Sequence, residues 1–310
     1  MSATGHDNRT LLIAFAANLG IAVAKFAAAA VTGSSAMLTE GIHSVVDSLN
    51  QLLLIYGRRQ ARKPPDRQHP LGYGRELYFW SFVVAILVFA AGGGVSIYEG
   101  VIHIMAPEHA VSPLIAYGVL LIAFVLEGGS TWVAFKEFRE AKGELGWFQA
   151  LRHSKDPPAF IVLLENGAAM AGILVAAFGL ALSQLSGDPF FDGAASIVIG
   201  FILCLTALLL AVESKALLIG ESADPELVAG LRAAAAHRSG ITAIGTIATI
   251  HQAPDQIFAV MSVDFDDHID AGTVERIVGE IEAEVARRWP AVKRLYIRPE
   301  QGARDTIGGE

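Results

Sequence analysis

Six long apolar runs are the feature of this sequence that most limits its fold. They cover approximately residues 11–31, 36–57, 77–105, 112–135, 158–183 and 190–217, and each is long enough to cross a hydrocarbon layer roughly 30 Å thick. Only 17% of the residues are charged, whereas a soluble domain has about 25%. The sequence therefore predicts an α-helical membrane domain with six transmembrane helices over residues 1–220.

The loops between these runs carry basic residues on one side only. The loop after the second run contains Arg58, Arg59, Arg62, Lys63, Arg67 and Arg75, and the loop after the fourth contains Lys136, Arg139, Lys142, Arg152 and Lys155. The three opposite loops contain no Lys or Arg. The positive-inside rule therefore predicts that both termini are cytoplasmic. Residues 1–10 show no cleavage-site pattern, so we expect a retained first helix and a bacterial inner-membrane location.

Residues 221–310 have the composition of a soluble domain. Their pattern predicts a helix at 225–237, strands at 242–250 and 256–265, a helix at 270–288 and a last strand at 292–297. This order indicates a small α+β layer with two helices on one face of a sheet. Because a domain of this size has a thin core, we expect it to dimerise.

Composition also excludes several classes of partner and site. The net charge of −8, without a large basic face, argues against a nucleic-acid partner. The single cysteine, Cys204, excludes a disulfide framework and a thiolate-rich metal site. We expect no prosthetic group.

His43 and Asp47 are ionisable residues inside the second apolar run. Residues at i and i+4 share a helix face, so the two side chains can bind one ion together. Ionisable groups at membrane depth are costly and mark an ion or substrate path. Alternatively, the pair touches water near a helix end or only bonds a neighbouring helix.

Four segments together resemble the cation diffusion facilitator family of divalent-metal/proton antiporters. They are Gly-Ser-Ser at 33–35, His-Ser-Val-Val-Asp at 43–47, His-Pro-Leu-Gly-Tyr-Gly-Arg at 69–75, and Asp192 at the start of the sixth run. The resemblance covers nearly the whole chain. It implies a homodimer, a ferredoxin-like cytoplasmic domain, metal bound between spans two and five, and export driven by inward proton flow.

The fifth span departs from the family pattern. Relatives commonly carry a His or Asp followed four residues later by an Asp, and the matching positions here are Ile161 and Glu165. The first ligand is therefore absent and the second is a longer carboxylate. Glu165 is either a metal ligand or a structural bond to a neighbouring helix.

The predicted metal site thus has three ligands, His43, Asp47 and Glu165. A water, Asn166 or Glu40 is a candidate for the fourth. A nitrogen-plus-carboxylate set without thiolates suits zinc first, with cobalt, nickel, iron and manganese also open. Metal binding needs a neutral imidazole and ionised carboxylates, so protons compete with the metal for the same atoms.

Other polar residues give weaker signals. The resemblance suggests a peripheral metal site at Asp66 and His69, although an ordinary solvated loop fits equally well. Lys25 either snorkels or pairs with a carboxylate. The remaining candidates are interpreted as surface histidines (His103, His109) and as packing or helix-end groups (Glu99, Glu127, Glu213). We expect the cytoplasmic domain to bind little or no zinc.

Two other classes of function use the same intramembrane site. One is a membrane metalloenzyme, which is disfavoured because the chain has no His-Glu-x-x-His and no Gly-x-Ser-x-Gly segment. The other is a metal-sensing scaffold that binds ions without moving them. The sequence favours the secondary transporter.

Overall fold

The computed structural model describes residues 4–106, 113–143, 146, 150, 155–302 and 304. Helices occupy all six apolar runs. They are α1 (Thr4–Thr32), α2 (Ser35–Ala61), α3 (Glu76–Leu87), a π-helical segment (Val88–Gly94), α4 (Val95–Met105), α5 (Pro113–Lys142), α6 (Pro157–Ser186) and α7 (Phe190–Ile219). The α3, π-helical and α4 segments follow one another without a break and form the third run.

Four stretches of the described residues are long and apolar enough to cross a membrane. They are Glu76–Met105, Leu114–Glu140, Phe160–Ser186 and Phe190–Ile219. In α1, the shorter stretch Asn18–Thr32 is also apolar. A helical membrane protein is therefore confirmed, and the structure supports four of the six predicted spans by length and composition.

Glycines bring the third and sixth runs into close contact. A Cβ added to Gly100 would lie 2.6 Å from the carbonyl oxygen of Gly193, and one added to Gly193 would lie 2.9 Å from that of Gly100. Gly93 and Gly200 make the same reciprocal approach seven residues away, at 3.0 and 2.9 Å. The two helices are thus antiparallel, and their backbones meet where side chains are absent.

The C-terminal segment forms a three-stranded sheet with two helices. Its elements are α8 (Pro225–Ala236), β1 (Ile241–Ala253), β2 (Gln256–Phe265), α9 (Ala271–Arg288) and β3 (Val292–Pro299). The strand order is β1-β2-β3, with β1 and β2 antiparallel and β2 and β3 parallel. The parallel pair requires a crossover, which α9 provides. The core contains Leu231, Ile247, Met261, Ile277 and Ile281.

The chain divides into two compact units. One contains Met1–Arg59 and Leu77–Lys215, and the other contains Gln60–Glu76 and Ala216–Glu310. The loop after α2 is therefore grouped with the C-terminal segment. Gly74 of this loop lies against the β1–β2 turn, since a Cβ there would be 2.5 Å from the carbonyl oxygen of Gln252.

Candidate metal centre in the helical unit

One face of α2 carries a row of buried polar side chains. The buried members are Thr39, Glu40, His43, Ser44, Ser48 and Asn50, and Asp47 is half-buried. The two serine hydroxyls of this row donate to carbonyls of α2 itself: Ser44 to the Glu40 carbonyl at 3.1 Å and Ser48 to the Ser44 carbonyl at 2.9 Å. The ionisable and amide groups remain available for partners outside the helix.

His43 and Asp47 lie together as the spacing predicted. Nε2 of His43 is 3.4 Å from Oδ2 of Asp47. Neither ring nitrogen of His43, nor Oδ1 of Asp47, makes a hydrogen bond with any residue that the structure describes. Buried polar atoms without partners are rare in folded proteins. An imidazole and a carboxylate with free lone pairs are the donor set that a transition-metal ion prefers.

Glu165 faces the same row from α6. Its Oε1 accepts a hydrogen bond from Nδ2 of Asn50 at 2.7 Å, and the Glu165 side chain is buried. Asn50 follows Asp47 by three residues, so the two share a helix face. The structure thus places the α6 carboxylate beside the α2 row, one turn from Asp47.

The three predicted ligands are near one another but are not gathered around one point. Among the described residues, no three His, Cys, Asp or Glu side chains are close enough to hold one ion. In this arrangement Oε1 of Glu165 accepts a hydrogen bond from Asn50. A site that uses His43, Asp47 and Glu165 together therefore requires the α6 carboxylate to move closer to the α2 pair, and Oε1 can keep its hydrogen bond from Asn50 while Oε2 binds the ion.

A lysine joins three helices beside this row. Nζ of Lys25 on α1 donates to Oε2 of Glu40 at 2.9 Å, to Oγ of Ser44 at 2.9 Å and to Oε1 of Glu127 on α5 at 3.0 Å. Of the two interpretations of Lys25, pairing with carboxylates is correct. Glu127, interpreted as a packing or helix-end group, is the α5 ion-pair partner of this lysine.

The start of α2 is held by a carboxylate from α7. Asp192 accepts a hydrogen bond from the Ser34 hydroxyl at 2.8 Å and from the Ser35 N–H at 2.7 Å. It therefore caps the helix from a distant part of the chain, where a negative charge is favourable.

His103 lies next to this cap, and its interpretation as a surface histidine was wrong. Its side chain is only 9% exposed, and Nε2 is 3.7 Å from Oδ2 of Asp192. It lines a cavity of about 450 Å³ together with Ser34, Ser35 and Glu99. His109, the other histidine of that interpretation, lies outside the described residues.

The loop pair Asp66 and His69 is also brought together, with 3.6 Å between Oδ1 and Nδ1. Both oxygens of Asp66 already accept hydrogen bonds: Oδ2 from the Tyr73 hydroxyl at 2.6 Å, and Oδ1 from the N–H groups of His69 and Gln68 at 2.7 and 2.9 Å. The bond from Tyr73 is the main cause that lowers the pKa of Asp66, and it raises the pKa of Tyr73. A metal ion here would compete with these donors.

The acidic cluster around residue 270 has a structural role. Asp270 accepts a hydrogen bond from the Thr273 N–H at 2.6 Å and caps α9, which lowers the pKa of Asp270. Asp266 accepts from the His268 N–H at 2.9 Å, and Asp264 from the Gly302 N–H at 3.0 Å. These carboxylates therefore stabilise the end of β2 and the start of α9.

Long apolar helices around a buried row of ionisable side chains define an integral membrane protein with a polar row in its interior. Residues 11–219 match the family model of the cation efflux transmembrane domain. The chain belongs to the cation diffusion facilitator family, whose members are transporters that move metal ions as substrates and are not enzymes. The metalloenzyme alternative is therefore not favoured.

Several curated proteins are similar to this chain. The human proton-coupled zinc antiporter SLC30A9, mitochondrial, is 31% identical over 92% of this chain and 51% of its own length. Metal tolerance protein C4 of Arabidopsis thaliana is 31% identical over 71% of this chain and 49% of its own. The manganese efflux system protein MneP of Bacillus subtilis is 24% identical over 94% of this chain and 95% of its own length. The chain thus spans about half the length of the first two relatives and nearly all of the third.

Sequence reasoning missed Asn50 as a member of the site. A signal was present, because Asn50 follows His43 by seven residues and Asp47 by three, which places all three on one face of a helix. The role of Asp192 as a cap had no local signal, since Asp192 lies 157 residues from Ser35 at the start of the helix that it caps.

Proposed function

We propose that this chain exports divalent transition-metal ions, with zinc favoured, from the cytoplasm in exchange for protons. The observation that carries the proposal is the unpartnered His43–Asp47 pair on α2 facing the Glu165 carboxylate on α6. The printed name of the human relative, a proton-coupled zinc antiporter, supports it. Cobalt, nickel, iron and manganese remain candidate substrates, and the name of MneP supports manganese among them.

Transport by alternating access follows from the chemistry of these ligands. The metal needs a neutral His43 and ionised Asp47 and Glu165, so protons arriving from the far side displace it. Glu165 would bind the ion through Oε2 on loading, while Asn50 continues to donate to Oε1. Small movements of α6 against α2 suffice to load and release the ion, because His43, Asp47 and Asn50 lie on the same face of α2.

The proposal includes an architecture. Six transmembrane helices place both termini and the basic loops in the cytoplasm, and the C-terminal sheet is a ferredoxin-like domain that holds a homodimer together. Residues 1–220 form the transmembrane domain and 221–310 the cytoplasmic one. A bacterial inner membrane is the proposed location, and Asp66 with His69 is the proposed peripheral loop site.

Metal uptake into proteoliposomes tests the function. With an imposed pH gradient, the wild-type chain should take up Zn²⁺, and uptake should collapse when an ionophore dissipates the gradient. Asp47→Asn, which keeps the shape but removes the charge, should abolish uptake. Asp255→Asn, at an exposed turn between β1 and β2, is the matched control and should transport normally.

Two outcomes would contradict the proposal. Uptake by Asp47→Asn at the wild-type rate would show that Asp47 is not part of the transport site. Tight binding of Zn²⁺ that never leads to uptake would favour a metal-sensing scaffold. A panel of Zn²⁺, Mn²⁺, Co²⁺, Ni²⁺ and Fe²⁺ in the same assay ranks the substrates.

A further inference from the structure

The ammonium of Lys25 is held like a bound cation. All three of its hydrogens point to oxygen atoms, one each from Glu40, Ser44 and Glu127, at 2.9, 2.9 and 3.0 Å. The side chains of Lys25 and Glu40 are completely buried and that of Glu127 is 12% exposed. The oxygen atoms come from two helices, α2 and α5, while the cation comes from a third.

The charges of this cluster do not balance. Two carboxylates face one ammonium, so one formal negative charge is left. Ionised carboxylates are costly to bury unless they are paired or bind a cation. The pocket formed by Glu40, Ser44 and Glu127 therefore requires a positive charge, and Lys25 supplies it.

One oxygen of this pocket has no partner. Oε1 of Glu40 makes no hydrogen bond with any described residue. It lies against Gly172 of α6, in the space that a Cβ would fill. Gly172 follows Glu165 by seven residues, so both lie on the same face of α6. Oε2 of Glu40 thus contacts the ammonium, while Oε1 faces α6, the helix that carries Glu165.

We propose that Lys25 is a resident cation that occupies an oxygen-only cation site made of Glu40, Ser44 and Glu127. Carboxylate and hydroxyl oxygens are the ligands that manganese, magnesium and calcium ions prefer. Without the ammonium, the pocket takes one such ion. In the wild-type chain Lys25 excludes these ions and confines metal to the neighbouring His43–Asp47 site. That last consequence rests on the proposed function, whereas the existence of the cation site does not.

Counting bound Mn²⁺ in a lysine-free variant tests the proposal. Methionine has nearly the length of lysine without its charge, so Lys25→Met opens the pocket with little change in volume. All variants are made in the full chain with Asp47→Asn, so that ions at the proposed transport site do not contribute. The purified protein is equilibrated with Mn²⁺ in detergent, passed through a desalting column, and analysed for metal per chain by mass spectrometry.

We expect Lys25→Met to hold one more Mn²⁺ per chain than its Lys25 parent. Adding Glu40→Gln and Glu127→Gln should remove this ion, and Lys25→Arg, which keeps the cation, should stay at the parent value. A monodisperse Lys25→Met protein with no additional Mn²⁺ would overturn the proposal. So would an additional ion that persists when both carboxylates are neutralised.

The test remains decisive if Lys25→Met does not fold in metal-free buffer. We then expect Mn²⁺ during purification to restore a monodisperse protein, because the ion replaces the ammonium. If only the neutral triple variant folds and Mn²⁺ has no effect, the pocket does not accept an ion and the proposal is wrong. The proposed function is tested separately, by Zn²⁺ uptake in the single variant Asp47→Asn, and its failure would not affect the Mn²⁺ count.

Discussion

The hydrogen bond from Asn50 fixes the direction of the Glu165 carboxylate. Glu165 is buried in α6, and Asn50 is the described residue that donates to it. A residue that orients a metal ligand commonly increases the affinity for the metal. It does so because the oriented side chain loses less conformational entropy when the metal binds. At the residue scale, the proposed site therefore includes Asn50 beside the three candidate ligands named from sequence.

Asn50→Ala should weaken Zn²⁺ binding by about 10- to 100-fold, which is the usual effect of removing a partner that orients a ligand. Isothermal titration of the full-length protein in detergent measures this directly. Asn18→Ala on α1 is the control and should bind as the wild type does. An unchanged Zn²⁺ affinity in Asn50→Ala would mean that the Asn50 amide does not orient Glu165 for metal binding.

The hydrogen bond from Tyr73 to Asp66 makes the conformation of the loop after α2 depend on pH. This bond is the main cause that holds the pKa of Asp66 below its ordinary value. A lowered pKa in the folded state means that the interaction is present above the ordinary aspartate range and is lost as the pH falls through the lowered pKa. The loop geometry should therefore persist at neutral pH and loosen only in acid.

Tyr73→Phe should raise the pKa of Asp66 towards the ordinary value, so that the loop loosens at a higher pH. A titration of the carboxyl carbon of Asp66 by NMR, with labelled aspartate in the full-length protein, measures the shift. Tyr296→Phe, at an exposed position on β3, should leave the pKa of Asp66 unchanged. An Asp66 titration that is the same in both variants would exclude the hydrogen bond as its cause.

At the scale of elements, two contacts determine where the site-bearing helix lies. Asp192 of α7 caps α2 at its first turn. Lys25 of α1 binds α2 one and two turns further along, at Glu40 and Ser44. The helix that carries most of the ionisable row is thus anchored by charged and capping contacts, which suits a helix too polar to be held by apolar packing alone.

The antiparallel contact between the third and sixth runs depends on glycine. Gly100→Ala should destabilise the protein by roughly 1–3 kcal/mol, the usual cost of overpacking, because the new methyl meets Gly193 and Ile197. The thermal midpoint in detergent, followed by tryptophan fluorescence, measures the loss. Gly118→Ala on α5 is the control, since a Cβ there meets nothing within 4 Å, and it should be neutral or slightly stabilising. Equal midpoints for the two variants would contradict this account.

At the scale of the whole molecule, the small C-terminal sheet has two edge strands, β1 and β3, among the described residues. Within the described residues β1 and β3 each pair only with β2, and an unpaired edge is a ready site for association. A three-stranded sheet with two short helices also has a limited core. Both features favour self-association of this unit.

The full-length chain should therefore be a dimer in detergent, and a chain that ends at Gly220 should be a monomer. Light scattering after gel filtration, corrected for the detergent, gives the two masses. The shortened chain must elute as a single sharp peak for the comparison to hold. A dimer of the shortened chain would place the interface in the helical unit instead.

Much of the architecture was readable in the sequence because its signals are local. Apolar run length predicted the helices of the first unit, and alternation predicted the strands of the second. The pair His43 and Asp47 was also predicted, since four residues return a helix to the same face. These properties depend only on neighbours in the chain, so the sequence by itself determined them.

Only the tertiary structure decided the partners of the buried charges. Lys25 lies 102 residues from Glu127, and Asn50 lies 115 from Glu165. Such pairs depend on how helices pack, and no local pattern specifies which carboxylate a buried lysine reaches. The sequence therefore identified which residues are costly to bury, and the fold determined how each of them is satisfied or left free to bind an ion.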